Sequence, residues 1–213
     1  MKDFIIIGHK AVTAPFSLND LPGAAGRMDI LCRCVNAALF LSHGMRRDVR
    51  VYLVLKGEPA PPKLVRFEGN EVRYLSPDER SAASLIRKAL EKSAQEFWVE
   101  STPGVSIRKG DFGDVLSELN KRVIYLREDG EDIRGKEFED PLFVLGDHLG
   151  MTEEEEKLIE TYEHEIAGVG PLSLHADHCV VLLHNEMDRK EYLKRSTYSE
   201  PDDNSGYRTQ APA

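Results

Sequence analysis

"FVLGDHLG", Phe143–Gly150, opens as an unbroken apolar run and closes on glycine and aspartate. A few apolar residues bounded by a turn signal describe a strand buried on both faces, as parallel sheets use. At the carboxyl end of such a strand an α/β sheet presents backbone groups to a ligand. Gly146 permits close approach there, and Asp147 can accept from hydroxyls or amines. The segment reads equally as a simple strand-end turn.

The neighbouring sequence supports a sheet. "RVIYLRE" is a second buried strand across a charged loop, and "TEEEE" begins a helix whose carboxylates complement the positive end of the helix dipole. "DFIIIGH" and "RRDVRVYLVLKG" are further strands, "GVSIRK" a brief one, and "DFGDVLSELN" a short helix. "PKLVRFEG" and "NEVRYLS" read as a hairpin turned at Gly69 and Asn70. Met28, Leu31, Cys32, Val35 and Leu39 recur at helical spacing, with Arg27, Asp29, Arg33 and Asn36 on the other side. "SPDERSAASLIRKALEKSAQEFW" is a second helix, capped by Ser76 or Asp78. This alternation predicts an α/β fold with a largely parallel sheet flanked by helices.

The last element, Ser173–Met187, contains "CVVLL", which fits a strand or a buried helix. Its length without turn signals, and Ser173 placed as a cap, favour the helix, apolar around its circumference and suited to a subunit interface. Residues 194–213 are polar and turn-rich and read as a disordered tail.

Composition bounds the function. The chain has 213 residues, 41% of them hydrophobic, enough for a core that needs neither metal nor disulfide. Three cysteines, Cys32, Cys34 and Cys179, are too sparse for a disulfide framework and point to a reduced, cytoplasmic compartment. No segment approaches the roughly 20 apolar residues of a membrane span, so neither secretion nor membrane insertion is expected. A formal charge of −9 argues against indiscriminate coating of nucleic acid, but cations gather in the N-terminal half, from Arg27 and Arg33 through Arg46, Arg47 and Arg50.

Several chemistries compete for the polar residues. Zinc bound by Cys32, Cys34, His175, His178 or Cys179 lacks the usual C-x₂₋₄-C spacing. A nucleophilic Cys179 lacks a partner, because His178 beside it faces another way on a helix. "RRDVR" sets Arg46 and Arg47 before Asp48, an arrangement suited to clamping phosphate around an ionised acceptor, or equally a surface ion-pair cluster. "GVGPLSL" is a rigid, glycine-rich loop that with "VLGDH" can cradle a small molecule.

Together, "FIIIGHKAVT", "LPGAAGRMDILCRCVNAALFLSHGMRRDV", "SPDERS", "TPGVSIRKG", "FVLGDHLG" and "PLSLHADHCVVLLHNEMD" resemble the archaeal tRNA (pseudouridine-54 N1)-methyltransferases of the SPOUT class, in order from Phe4 to Asp188. The resemblance implies one SPOUT domain over residues 1–193, a C-terminal trefoil knot at about 122–190, and a homodimer. It implies S-adenosylmethionine bound without a metal by Leu126, Gly146, Val169, Gly170, Pro171, Leu172, Leu174 and Cys179. The substrate it implies is the tRNA T-loop, where a base can be splayed from its stack. Methyl transfer then needs an aligned nucleophile relieved of its proton. Asp48 is the expected base or orienting acceptor, Arg46 and Arg47 its partners, and Arg27, Arg33, Arg46 and Arg47 the expected RNA contacts. Another pseudouridine-containing RNA, or a non-catalytic donor- and RNA-binding dimer, are the alternatives.

Overall fold

A computed structural model describes residues 1–198. In chain order the elements are β1 (Lys2–Gly8), α1 (Met28–Leu39), β2 (Phe40–Leu41), β3 (Gly44–Met45), β4 (Val49–Leu55), β5 (Lys63–Glu68), α2 (Glu79–Leu90), β6 (Val99–Thr102), β7 (Val105–Lys109), α3 (Phe112–Leu119), β8 (Val123–Asp132), β9 (Leu142–Gly146), α4 (Glu153–Glu160), β10 (His164–Gly168) and α5 (Ala176–Tyr198). Eight strands form one sheet in the order β10-β8-β9-β1-β4-β5-β7-β6.

The first five strands in that order are parallel, and β5, β7 and β6 extend them antiparallel. β1 lies at the centre because Phe4 to Ile7 are apolar on both faces, and all four are fully buried. Phe4 and Ile6 pack with residues of α1, α2 and α5, while Ile5 and Ile7 pack with α3 and α4. Each such side chain contributes about 2–3 kcal/mol by leaving water. Asp78 caps α2 by accepting from the Ser81 amide at 2.8 Å, and Thr152 and Glu155 cap α4 reciprocally.

The hairpin expected at Gly69–Asn70 does not form. β5 pairs with β4 on one edge and β7 on the other, so no edge remains for "NEVRYLS". That segment instead turns back through Val72 N–H to Glu68 C=O at 2.8 Å and stays a loop. The second helix stops at Leu90 rather than running to Trp98. The last helix begins at Ala176, not Ser173, leaving 169–175 as a loop, and it continues through Tyr198. The polar tail therefore does not begin at residue 194; the remainder of that expectation, 199–213, lies outside the described residues. Val180, Leu183 and Met187 bury one face of α5, whereas Val181 is half exposed and His178 and Asn185 face outward. Within one chain the helix is packed on one side.

Among the described residues no helix is long and apolar enough to cross a membrane. All three cysteines are free, with Cys32 and Cys34 in the core.

Candidate functional site

The carboxyl ends of β8, β9 and β10, three adjacent parallel strands, open on a cavity of about 550 Å³. That is the size and the place at which α/β sheets hold small molecules. Leu126 enters from β8 and Gly146 from β9; Val169 and Gly170 follow β10; Leu172 and Leu174 come from the loop, and Cys179 from the first turn of α5. Pro171 is exposed and does not line it. The structure thus brings together seven of the eight residues expected there.

The cavity wall is built by close backbone approach. A Cβ on Gly146 would stand 2.4 Å from the carbonyl oxygen of Gly150, so glycine alone lets the chain fold back after β9. Ile30, Leu145 and Met151 supply apolar surface and Arg27 a cation. Arg27 occupies a left-handed backbone conformation (φ 65°) at the start of α1, and Asp29 accepts its guanidinium at 3.0 and 3.1 Å. At the mouth, a hydrogen bond from Ser173 holds the exposed Glu128 carboxyl below its ordinary range. An apolar lining with Arg27 and Glu128 as charges of opposite sign fits a nucleoside carrying an amino-acid tail.

Asp147 does not present its acceptors to this cavity. Its carboxylate takes the His9 amide at 2.9 Å, the His9 ring at 3.1 Å and the Leu149 amide at 2.9 Å. Burial opposes its charge, but these bonds outweigh burial and hold the carboxyl below its ordinary range. His9, one residue past β1, also meets Glu155 at 3.0 Å through its other ring nitrogen. In the sequence His9 is only the polar residue that follows the apolar run of β1, and no local signal marks its partners.

Arg46, Arg47 and Asp48 lie elsewhere in the chain. Lys2 pairs with Val49 at the amino ends of β1 and β4, whereas the cavity sits at the carboxyl end of β1, where Ile7 pairs with Gly146. A strand of seven residues separates them by about 20 Å. Within one subunit, Asp48 therefore stands away from the cavity. Asp48 pairs with Lys2 at 2.5 Å, and although burial opposes its charge, that bond leaves its pKa lowered, which makes it a weak proton acceptor. Arg46 forms a two-point pair with Asp188 at 2.9 and 2.5 Å, and Arg47 donates to Gly69 C=O at 2.9 Å. Arg33 is shared among Asp29, Glu79 and Asp177. Among the four arginines expected to meet RNA, Arg47 alone has no carboxylate partner among the described residues. No cluster of three or more His, Cys, Asp or Glu is arranged to hold a metal among those residues.

A mixed sheet with a small-molecule cavity across its parallel carboxyl ends defines a ligand-binding α/β protein of the kind that holds a nucleoside-based cofactor. Residues 1–192 match the family described as "Putative SAM-dependent RNA methyltransferase", and the chain belongs to that family. A relative from Methanosarcina acetivorans, named tRNA (pseudouridine(54)-N(1))-methyltransferase, is 62% identical over 90% of this chain and 92% of its own. A relative of the same name from Methanocella arvoryzae is 52% identical over 89% of this chain and all of its own. Among solved structures, Archaeoglobus fulgidus Nep1 bound to S-adenosylhomocysteine superposes with a TM-score of 0.62 over 90% of this chain and 99% of that one, at 16% identity. That likeness bears on the fold.

Proposed function

We propose that this protein methylates N1 of pseudouridine at position 54 in the T-loop of tRNA, with S-adenosylmethionine as donor. The observation that carries the reading is the convergence of Leu126, Gly146, Val169, Gly170, Leu172, Leu174 and Cys179 on one cavity, in a chain of this family. The donor, when bound, supplies a methyl group activated by a sulfonium, which calls for neither metal nor covalent intermediate. Leu126, Leu145 and Met151 exclude water, while the backbone of Gly146, Val169 and Gly170 and the carboxylate of Glu128 are placed to hold polar parts.

The proton on N1 must leave, and charge then grows on the ring oxygens. Arg46, Arg47 and Asp48 suit that task in kind but not in place within one subunit. We therefore assign them to the cavity of a second copy in a homodimer, with Asp48 orienting the base and Arg47 facing phosphate or oxyanion. The half-exposed Val181 on α5, with Leu172 and Leu174 at the cavity mouth, is the surface that such a partner would cover. The trefoil knot belongs to the same reading: Lys190 of α5 donates to the carbonyls of Ile133 and Lys136, so the 133–138 segment lies across the helix. A cytoplasmic setting follows from the substrate.

Mass spectrometry of two T-loop RNAs, one with pseudouridine and one with uridine at the target position, tests the reading. A methyl group on the pseudouridine RNA alone is the expected result. Methylation of neither, with donor binding intact, refutes the substrate assignment and favours the binding-only alternative.

A further inference from the structure

The loop from Asp147 to Thr152 forms one side of the cavity and carries no regular structure of its own beyond a single bridge between Asp147 and Gly150. Something outside it must hold it, and both ends lead to one side chain. The His9 ring meets Asp147 Oδ1 at 3.1 Å through Nδ1 and Glu155 Oε2 at 3.0 Å through Nε2. Both partners are carboxylates whose other contacts are donors: the amides of His9 and Leu149 on Asp147, Lys56 and the Thr152 amide on Glu155. Two acceptor-only partners require two N–H groups, which an imidazole has only when protonated.

We propose that His9 is a positioning residue for the methyl donor: its imidazolium staples Asp147 to Glu155 and so fixes the 147–152 loop against the carboxyl end of β1. The assignment rests on the cavity being the donor site. The surroundings agree with a charged ring. Asp147 and Glu155 raise the His9 pKa to about 9 against the effect of burial. Glu155 in turn is brought to about 2 by His9, Lys56 and the Thr152 amide, which outweigh its burial. The other charged or titratable groups near this cluster are Asp111, 3.6 Å from Lys56, and His148, 3.7 Å from Asp147, with Arg27 further along the cavity wall. None of them replaces the two-sided contact of His9.

The function that follows is donor affinity rather than chemistry. A loop released from His9 samples positions that do not fit the donor, and affinity falls by the fraction of time the competent position is lost. As pH rises through the imidazolium pKa, the wild-type protein loses the same contact.

The test uses the full chain and His9→Gln, which keeps a donor nitrogen for one carboxylate, offers the other only an acceptor oxygen and carries no charge. S-adenosylhomocysteine binding is measured by calorimetry from pH 6 to pH 10, and amide exchange of residues 147–152 is measured without ligand. The expected result is a donor Kd weakened about 10- to 100-fold in the variant, a raised KM with kcat at saturation nearly kept, and faster exchange confined to the loop. Wild-type affinity should fall above about pH 9, and the variant should lack that step. If His9→Gln unfolds, the double variant His9→Gln/Glu155→Gln removes the uncompensated carboxylate and carries the same readouts. Equal loop protection and the same pH profile in wild type and variant overturn the role of His9, as does a loss of protection spread evenly over the sheet. Failure of the wild type to bind S-adenosylhomocysteine overturns the donor-site reading instead, and the exchange data still decide whether His9 holds the loop.

Discussion

Gly146→Ala should damage the cavity from its backbone outward. The added Cβ would stand 2.4 Å from Gly150 O, 2.5 Å from Gly150 C and 3.0 Å from Gly150 Cα, all backbone atoms that cannot rotate away. Ordinary contact begins near 3.4 Å, so the 146–150 turn must move by roughly 1 Å. Overpacking of that kind costs about 1–3 kcal/mol. Gly146 and Gly150 both line the cavity, so a displaced turn translates into a donor Kd weakened about 5- to 150-fold, at 1.4 kcal/mol per tenfold. Gly44→Ala is the control: Gly44 lies outside the cavity lining, has nothing within 4 Å of its would-be Cβ, and should leave binding within about twofold. Calorimetry with S-adenosylhomocysteine, beside thermal melts, reads both. A Gly146→Ala protein that binds as tightly as Gly44→Ala refutes the claim that this turn shapes the site.

His184 is buried with neither ring nitrogen partnered, and burial, helped by Arg46 and Lys2, lowers its pKa to about 3. The unfolded chain takes up that proton first, so stability falls as pH drops below about 6.5, by about 2–3 kcal/mol at pH 4.5. Urea melts at pH 7 and 4.5 should show His184→Leu losing less than wild type on acidification, and an equal loss refutes the assignment. Arg47→Ala should lower the slope of log K for tRNA against log salt by about 0.7–0.9, measured by filter binding, with little change in Tm. Arg33→Ala, which strips the buried Asp29 and Asp177 of their shared cation, should instead cost about 1–3 kcal/mol in urea melts. Finally, mixing and re-pairing Asp48→Ala with Gly146→Ala subunits should recover about a quarter of wild-type methylation, since half the dimers are mixed and one of their two sites is intact. No recovery places Asp48 outside the shared site.

The sequence made the parallel half of the sheet legible wherever burial on both faces left a continuous apolar run, as in β1, β4 and β9. It hid β6 and β10, which close the two edges of the sheet. "VEST" and "HEIAG" are short and partly solvated, so charged residues interrupt any run. The cavity was legible through glycines at strand ends and through family resemblance. The staple was not, because His9 and Glu155 are 146 positions apart and share no period with anything between them. The distance of Asp48 from the cavity was hidden for a similar reason: its neighbours in sequence are at one end of β4, and only strand direction tells which end of the sheet carries the cavity.

The order of the sheet also sets the order in which the chain can be completed during synthesis. β1 leaves the ribosome well before one of its neighbours, β9, which begins at Leu142. At about 5–20 residues per second, roughly 7 to 27 s pass between the two. During that interval the chain can pair β1 with β4 and extend the antiparallel half, while the other edge of its most apolar strand stays bare and open to a wrong partner. The cavity, whose walls come from residues 125 to 179 apart from Arg27 and Ile30, is completed only after the antiparallel half of the sheet has been made.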